Sequence, residues 1–416
     1  MLKLKRALCA VMTAVLVLGT LLASGCSTPK YAVTLDGQQY ETGEYLAYLY
    51  LAYSQVMQQA QYYLYMQSMQ GTSTVNDVWD LEMPYGEEEN APSLKLEAYI
   101  KQLAKDMMIR QRALENKLTE YGISPSQEDI DEVNTQLNQY SADDLLKLGI
   151  SKEHFAAAYR AVQLNDNALF YGLYDGETNP NAPFMMPEEE IRQYFTDNYL
   201  SYKVIEIALT DDDGKELSDE EKQKVYDRLD GYLAIYNETG DFDKAIEKYN
   251  EDEEAADEDE DSEGGDDTTT TTTTEAPTTT TPTAAEGGED TGDDSGSGDE
   301  EEAEDPNRHD IDAKTYTDED FVKAVQSVNV NEAKRVEYKK NATRLTAALI
   351  LRLDPEEGEG REDFYKENRE SIISKEKSDA YDELMDPVIE ELGKTWTPDD
   401  SAIKMCSPKN FEKDAA

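Results

Sequence analysis

Three cysteines, two histidines and two tryptophans are all that this chain of 416 residues holds of those types. Each shortage closes a class of chemistry. Cys9 sits inside an apolar N-terminal run and Cys26 just beyond it, which leaves Cys406 without a partner for an intramolecular disulfide. His154 falls in a helical stretch and His309 at the end of an acidic run, so both are expected to face solvent rather than to do catalysis. There is no Gly-x-Ser-x-Gly elbow, no glycine-rich phosphate loop, no His-x-x-x-His and no Cys-x-x-Cys. Positive charge is scarce as well: 39 Lys and Arg stand against 91 Asp and Glu, a net charge of −52. Such a surface repels nucleic acid and anionic lipid headgroups, which excludes nucleic-acid partners and any membrane contact beyond an anchor.

One stretch lacks apolar side chains altogether. Residues 251–305 hold 24 Asp or Glu and 13 Thr, with no Lys or Arg and no Leu, Ile, Val, Phe, Tyr, Trp or Met. Nothing there can offset the entropy of ordering, so the whole stretch is expected to be disordered. Closing such a loop costs only about 1.5 kcal/mol more than closing one of ten residues, so it can interrupt a domain as well as join two. Asp257, Asp259 and Asp261 begin like a calcium loop, but Ser262 replaces its glycine and Thr268 its closing Glu. No metal site and no cofactor are expected.

At the N-terminus, Lys3, Lys5 and Arg6 precede an apolar run from Ala7 to Leu22 and then Ala23-Ser24-Gly25-Cys26. This predicts a secretory signal over 1–25 rather than a membrane span. Cys26 is the expected lipidation site, as in a bacterial lipobox, although Ala23 stands where the commonest form has Leu. Residues 26–30 would tether the mature chain to the outer face of the bacterial cell membrane, an extracytoplasmic location, with acyl chains as the anchor.

The remainder divides by pattern. Tyr31–Tyr40 alternates around Asp36-Gly37, a strand, a tight turn and a return strand. A long helix follows from Thr42 to about Met69, with Tyr45, Leu49, Ala52, Val56, Ala60, Tyr63 and Met66 on one face. Further helices are predicted over Ser93–Tyr121, Ser126–Tyr140, Ser151–Tyr174 and from Pro187 to about Tyr199. Tyr202–Leu209 reads as a buried strand, Ser218–Asn237 and Gly240–Tyr249 as helices, and a helix begins near Asp318. Val336–Tyr338 and Leu345–Leu353 read as strands. Arg361–Leu392 is a helical run broken or kinked at Pro387, and Ala402–Met405 a short edge strand.

Three of these features together carry a resemblance: the Val-x-x-Asp-Gly-x-x-Tyr hairpin before a long helix, "Ile-Ser-Pro-Ser-x-Glu-Asp-Ile" from Ile123, and "Pro-Glu-Glu-Glu-Ile-x-x-Tyr-Phe-x-x-Asn" from Pro187. In these the chain resembles the SurA/PrsA family of extracytoplasmic foldases. The resemblance implies a mainly α fold: a helical chaperone domain (31–199), and a small α+β domain of parvulin type (200–353) interrupted by the acidic insert 251–305. It also implies a C-terminal helix (354–416) that packs back on the first domain. "Gly-x-Phe-x-x-Ala" at Gly240 and "Phe-x-x-Ala" at Phe321 match parvulin helices.

The resemblance also implies where a prolyl isomerase site would lie: a histidine on the first strand and another on the last, under an apolar pocket. Here those positions fall at Glu206 and, within Ala347–Ile350, at Leu349, and the glycine-rich pocket strand is expected to be lost to the insert. Weak or absent isomerase activity follows. Tyr45, Tyr48, Tyr63, Met66, Met107 and Met108 are the candidate client-binding side chains, because flexible Met and amphipathic Tyr suit loose contact with varied unfolded chains. The expected partners are unfolded, newly secreted polypeptides. The alternatives are an active peptidyl-prolyl isomerase of the same architecture, or an envelope-anchored stalk or adhesion lipoprotein.

Overall fold

The computed structural model describes residues 29–69, 77–86, 91–211, 214–260 and 305–413. The expected signal over 1–25, the expected lipidation site Cys26 and positions 261–304 of the acidic run lie outside the described residues.

In chain order the first elements are β1 (Tyr31–Leu35), β2 (Gln38–Glu41) and α1 (Thr42–Met69), then β3 (Glu82–Pro84) and β4 (Ser93–Lys95). Helices α2 (Leu96–Tyr121), α3 (Gln127–Leu137), α4 (Ala142–Lys147), α5 (Lys152–Tyr174) and α6 (Glu188–Asn198) lead to β5 (Tyr199–Ala208). Then come α7 (Asp219–Thr239), α8 (Asp243–Glu260), β6 (His309–Asp312), α9 (Glu319–Gln326), β7 (Ala333–Lys340) and β8 (Arg344–Leu353). The chain closes with α10 (Arg361–Lys394), β9 (Thr397–Pro398), α11 (Asp400–Met405) and α12 (Asn410–Lys413). The fold is mainly helical with one small α+β unit.

Two compact units divide the chain. The first takes the described residues up to Met186 together with those from Glu376 onward; the second takes Pro187–Lys375. The division therefore falls at Pro187 rather than at residue 199, because α6 belongs with the sheet strand that it runs into. It falls again within α10 rather than at residue 354.

In the first unit, helix ends obey local rules. Ser126 and Ser151 cap α3 and α5 by accepting the amides of Asp129 and His154, and Gly122 ends α2 at φ 65°. Tyr45, Leu49, Ala52, Val56 and Ala60 of α1, Ile100, Ala104 and Met108 of α2, and Phe155, Leu169 and Leu173 of α5 are all buried. The final part of α10 joins this unit: the Tyr381 hydroxyl donates to Asp166 at 2.5 Å and its ring meets Phe170 at 5.2 Å. Strand β9 then pairs antiparallel with β1, giving the order β2-β1-β9.

Several local expectations change. Ser93–Lys95 pairs as a strand with Glu82–Pro84 before α2 begins. The helix predicted over 126–140 ends at Leu137, and Ser141 caps the separate α4. Helix α10 runs through Pro387 unbroken. Ala402–Met405 is helical, because Asp399 accepts the amides of Ser401 and Ala402 and starts a helix there.

The second unit is a four-stranded antiparallel sheet in the order β6-β5-β8-β7. Successive side chains alternate between its faces. One face, with Leu200, Tyr202, Ala348 and Ile350, is covered by Phe321, Val322 and Val325 of α9. The other, with Ile205, Leu349 and Leu351, is covered by Val225 and Leu229 of α7, by Phe242 just before α8 and by Ala245 within it. Burial on both sides explains why Tyr202–Leu209 is apolar at six of its eight positions, all but Lys203 and Glu206.

The expected disorder over 251–305 fails at both ends. Helix α8 continues to Glu260, with Glu253 paired to Arg228 and Asp252 accepting from the Tyr232 hydroxyl at 2.9 Å, both on α7. At the far end Asp305 pairs with Lys203 at 2.6 Å. Composition missed these contacts because carboxylates can be ordered by cations and phenols supplied from elsewhere. A strand not expected from the sequence, β6, also lies between the acidic run and α9. Arg361 grips Asp310 of that strand through both terminal nitrogens, at 2.8 and 2.7 Å.

Candidate functional site

Two places collect the predicted residues. The first is the α9-covered face of the sheet. Glu206 is carried there by β5, opposite Ala348 of β8. Leu349 pairs with Ile205 and points to the other face, so the two predicted site positions are on opposite sides of the sheet. A register slip of one residue exchanges the faces, and the repetitive run Ala347–Ile350 offers nothing in sequence to prevent that slip.

Glu206 is fully engaged. The Tyr338 hydroxyl donates to its Oε1, and Lys340 Nζ bonds its Oε2 at 2.7 Å. Burial drives the Tyr338 phenol well above its ordinary pKa of 10.0, and the Glu206 charge adds to the effect. A carboxylate held by a cation and a phenol is an acceptor already satisfied, not a free base. A groove of about 430 Å³ between α9 and β7 is lined by Lys323, Ala324, Val336, Tyr338, Lys339 and Leu345, and Glu206 is not among its walls.

His309 lies on this same face rather than in solvent. It pairs with Tyr202 across β6 and β5, its ring 5.6 Å from the Tyr202 ring, which in turn meets Phe321 at 5.2 Å. Burial lowers the imidazole pKa from 6.5 against the opposing pull of Asp310, Glu206 and Asp305. His154 is also only partly exposed; it packs so closely on Gly43 that a Cβ there would meet Nδ1 at 2.5 Å. Neither histidine was legible as an inward residue, since both are placed by packing with distant parts of the chain.

The second place is the distal end of α1. Up to Ala60 its apolar residues are buried or half-buried; of the described side chains beyond, none is buried. Tyr62, Tyr65, Met66 and Met69 are 64%, 58%, 37% and 70% exposed, and their spacing of three, four and seven residues puts them on one stripe. Tyr63 is 42% exposed beside it. The remaining client-binding candidates fall elsewhere: Tyr45, Tyr48 and Met108 are buried in the core, and Met107 is half-buried. Sequence reasoning named Tyr63 and Met66 but missed Tyr62, Tyr65 and Met69. The available signal was Leu64 as the last aliphatic residue in a run otherwise made of Gln, Tyr, Met and Ser.

Cys406 is buried, which pushes its thiol up to about 11 and keeps it protonated and inert at neutral pH.

No protein-family model matches the chain, and no curated protein matches it. Among solved structures it is similar to the foldase protein PrsA from Streptococcus pneumoniae. The two are 12% identical at a TM-score of 0.29, over 78% of this chain and 98% of that one.

Proposed function

We propose that this protein is an extracytoplasmic chaperone that holds unfolded polypeptides, anchored to the membrane through lipid on Cys26. One observation carries the reading. A run of Tyr and Met stands clear of the core on α1, in a chain whose other large aromatics are almost all covered. Exposed apolar side chains grouped in this way mark interaction surfaces, and Met and Tyr are the types that adapt to varied partners. The sheet unit acts as a binding or structural module, because Glu206 stands where the resemblance calls for a histidine and is already tied by Lys340 and Tyr338.

The test is suppression of aggregation of a chemically unfolded secreted protein. The wild-type chain is expected to suppress it at near-equimolar ratio, and Tyr62→Ser/Tyr65→Ser/Met69→Ser to lose most of the effect while keeping its circular dichroism. Equal protection by both chains would remove the stripe from the function.

A second reading, retained prolyl isomerase activity, is favoured by β6, which supplies a fourth strand and brings the half-buried His309 imidazole to the face of Glu206. Amide rotation needs a fitted, desolvated pocket more than acid–base chemistry. A prolyl cis–trans assay decides it: rates at the uncatalysed background are expected, and catalysis abolished by Phe321→Ala would make the sheet face an active site.

A further inference from the structure

We infer that the clients held on the α1 stripe are net-basic unfolded segments, with Lys and Arg interspersed among their apolar residues. This rests on the holding function proposed above and names its substrate class. The observation is the distribution of charge around the stripe. From Tyr31 to Leu94 the sequence contains nine carboxylates and no Lys or Arg, and Asp77, Asp80 and Glu82 are those among the described residues that follow α1. Within α1 the only charged residue is Glu44, so the stripe itself is neutral: four Tyr or Met side chains among Gln and Ser.

Acidic groups lie close to it. The short turn Val78–Asp80 packs Trp79 on Tyr53 of α1, their ring centroids 6.3 Å apart. Tyr53 precedes the stripe by nine residues, which at 1.5 Å per residue is about 14 Å. Asp77, Asp80 and Glu82, all exposed, are therefore placed within one or two screening lengths of Tyr62 at low salt, where that length is about 10 Å or more. Two cations stand against them: Lys95, paired across the short strands with Glu82, and Lys409, which lies over Trp79 at 5.4 Å. Glu97, 3.8 Å from Lys409, and Glu412, which accepts from the Trp79 indole at 2.9 Å, keep the balance negative.

Two forces then select the same client. Carboxylates around a neutral apolar surface attract cationic chains and repel anionic ones. The tyrosine rings add a direct term, because an ammonium or guanidinium seats favourably on an aromatic face. A second copy of this chain is disfavoured as occupant, since it would bring the same negative field.

The experiment uses the full chain in vesicles of neutral phosphatidylcholine, with empty vesicles as blank. Two unstructured peptides of about 25 residues share one order of Leu, Tyr and Phe; one carries six Lys and the other six Glu. At 50 mM salt the Lys peptide is expected to bind at least tenfold more tightly. At 500 mM the ratio is expected to fall below threefold, and Tyr62→Ser/Tyr65→Ser/Met69→Ser to weaken the Lys peptide about tenfold at either salt. Equal affinity for the two peptides overturns the charge selection and leaves the holding function standing. Undiminished binding of the Lys peptide to the triple variant overturns the stripe as its seat. Dimerisation that rises with concentration, is lost in the triple variant and excludes both peptides makes a second copy the occupant. Binding of neither peptide, with no suppression of aggregation, sinks the holding function and this inference together.

Discussion

Glu206 shows how a single side chain can close a site. Its side chain is 25% exposed and that of Lys340 42%, so the ion pair alone is worth little, about 0–1 kcal/mol. The bond from the buried Tyr338 hydroxyl to a charged acceptor is worth more, about 1.5–3 kcal/mol. Glu206→Ala is expected to destabilise the second unit by about 2 kcal/mol, read as a lower urea midpoint at unchanged slope. An unchanged midpoint would mean that Tyr338 and Lys340 find other partners. His309 makes a prediction of opposite chemistry. Its pKa is lowered in the folded chain, so between that value and 6.5 the unfolded chain binds more protons. The stability it confers is complete above 6.5 and is lost as pH falls through the lower folded value. Between pH 7.5 and 5, wild type is expected to lose more stability than His309→Asn. The many carboxylates titrate in both, and the difference isolates the imidazole. Coincident pH profiles would show the ring to be exposed.

Among the elements, β5 and α1 set the arrangement. Lys203 of β5 has a side chain only 8% exposed and holds both Asp243, at the start of α8, and Asp305, where the chain returns, each at 2.6 Å. Burial would lower its pKa, but the two carboxylates outweigh this and hold it above the ordinary lysine value. Lys203→Ala leaves both carboxylates without their shared cation, although at 40% exposure water takes up part of the loss. A cost of about 1–3 kcal/mol is expected, below the range for fully buried pairs. Hydrogen exchange should quicken first in α8 and β6; uniform acceleration across the unit would contradict a local clamp. The end of α1 behaves differently. Its stripe side chains touch little in the fold, so replacing Tyr62, Tyr65 and Met69 by Ser is expected to change stability by no more than about 0.5 kcal/mol for each. That keeps the binding tests free of unfolding.

At the scale of the whole molecule, the return to Lys203 bounds how much of the acidic run the fold needs. Helix α8 carries the chain about 25 Å from Asp243 to Glu260 at 1.5 Å per residue. Asp305 sits back beside Asp243, since both bond Lys203. Covering that distance takes at least about eight extended residues. Replacing 261–304 by a Gly–Ser linker of about twelve residues is therefore expected to leave the second unit folded, with an unchanged midpoint. A linker of about four should strip the last turns from α8. A net charge of −52 also predicts that raising salt from 20 to 500 mM raises the thermal midpoint, by screening self-repulsion.

The sequence by itself determined the mainly helical class, the hairpin at Asp36-Gly37 and most helix starts. These follow from signals a few residues long: a serine that reaches the third amide, a glycine that accepts positive φ, a period of 3.6. Only the tertiary structure decided that Leu349 turns away from Glu206, that His309 lies inward and that β6 forms beyond the acidic run. It also decided that α1 outruns its neighbours after Ala60, which turns Tyr62, Tyr65 and Met69 into surface. The physical reason is common to all four. Face, burial and exposure are set by which distant segment arrives opposite a residue, and a one-residue change of register or one missing neighbour reverses the outcome while leaving the local pattern untouched.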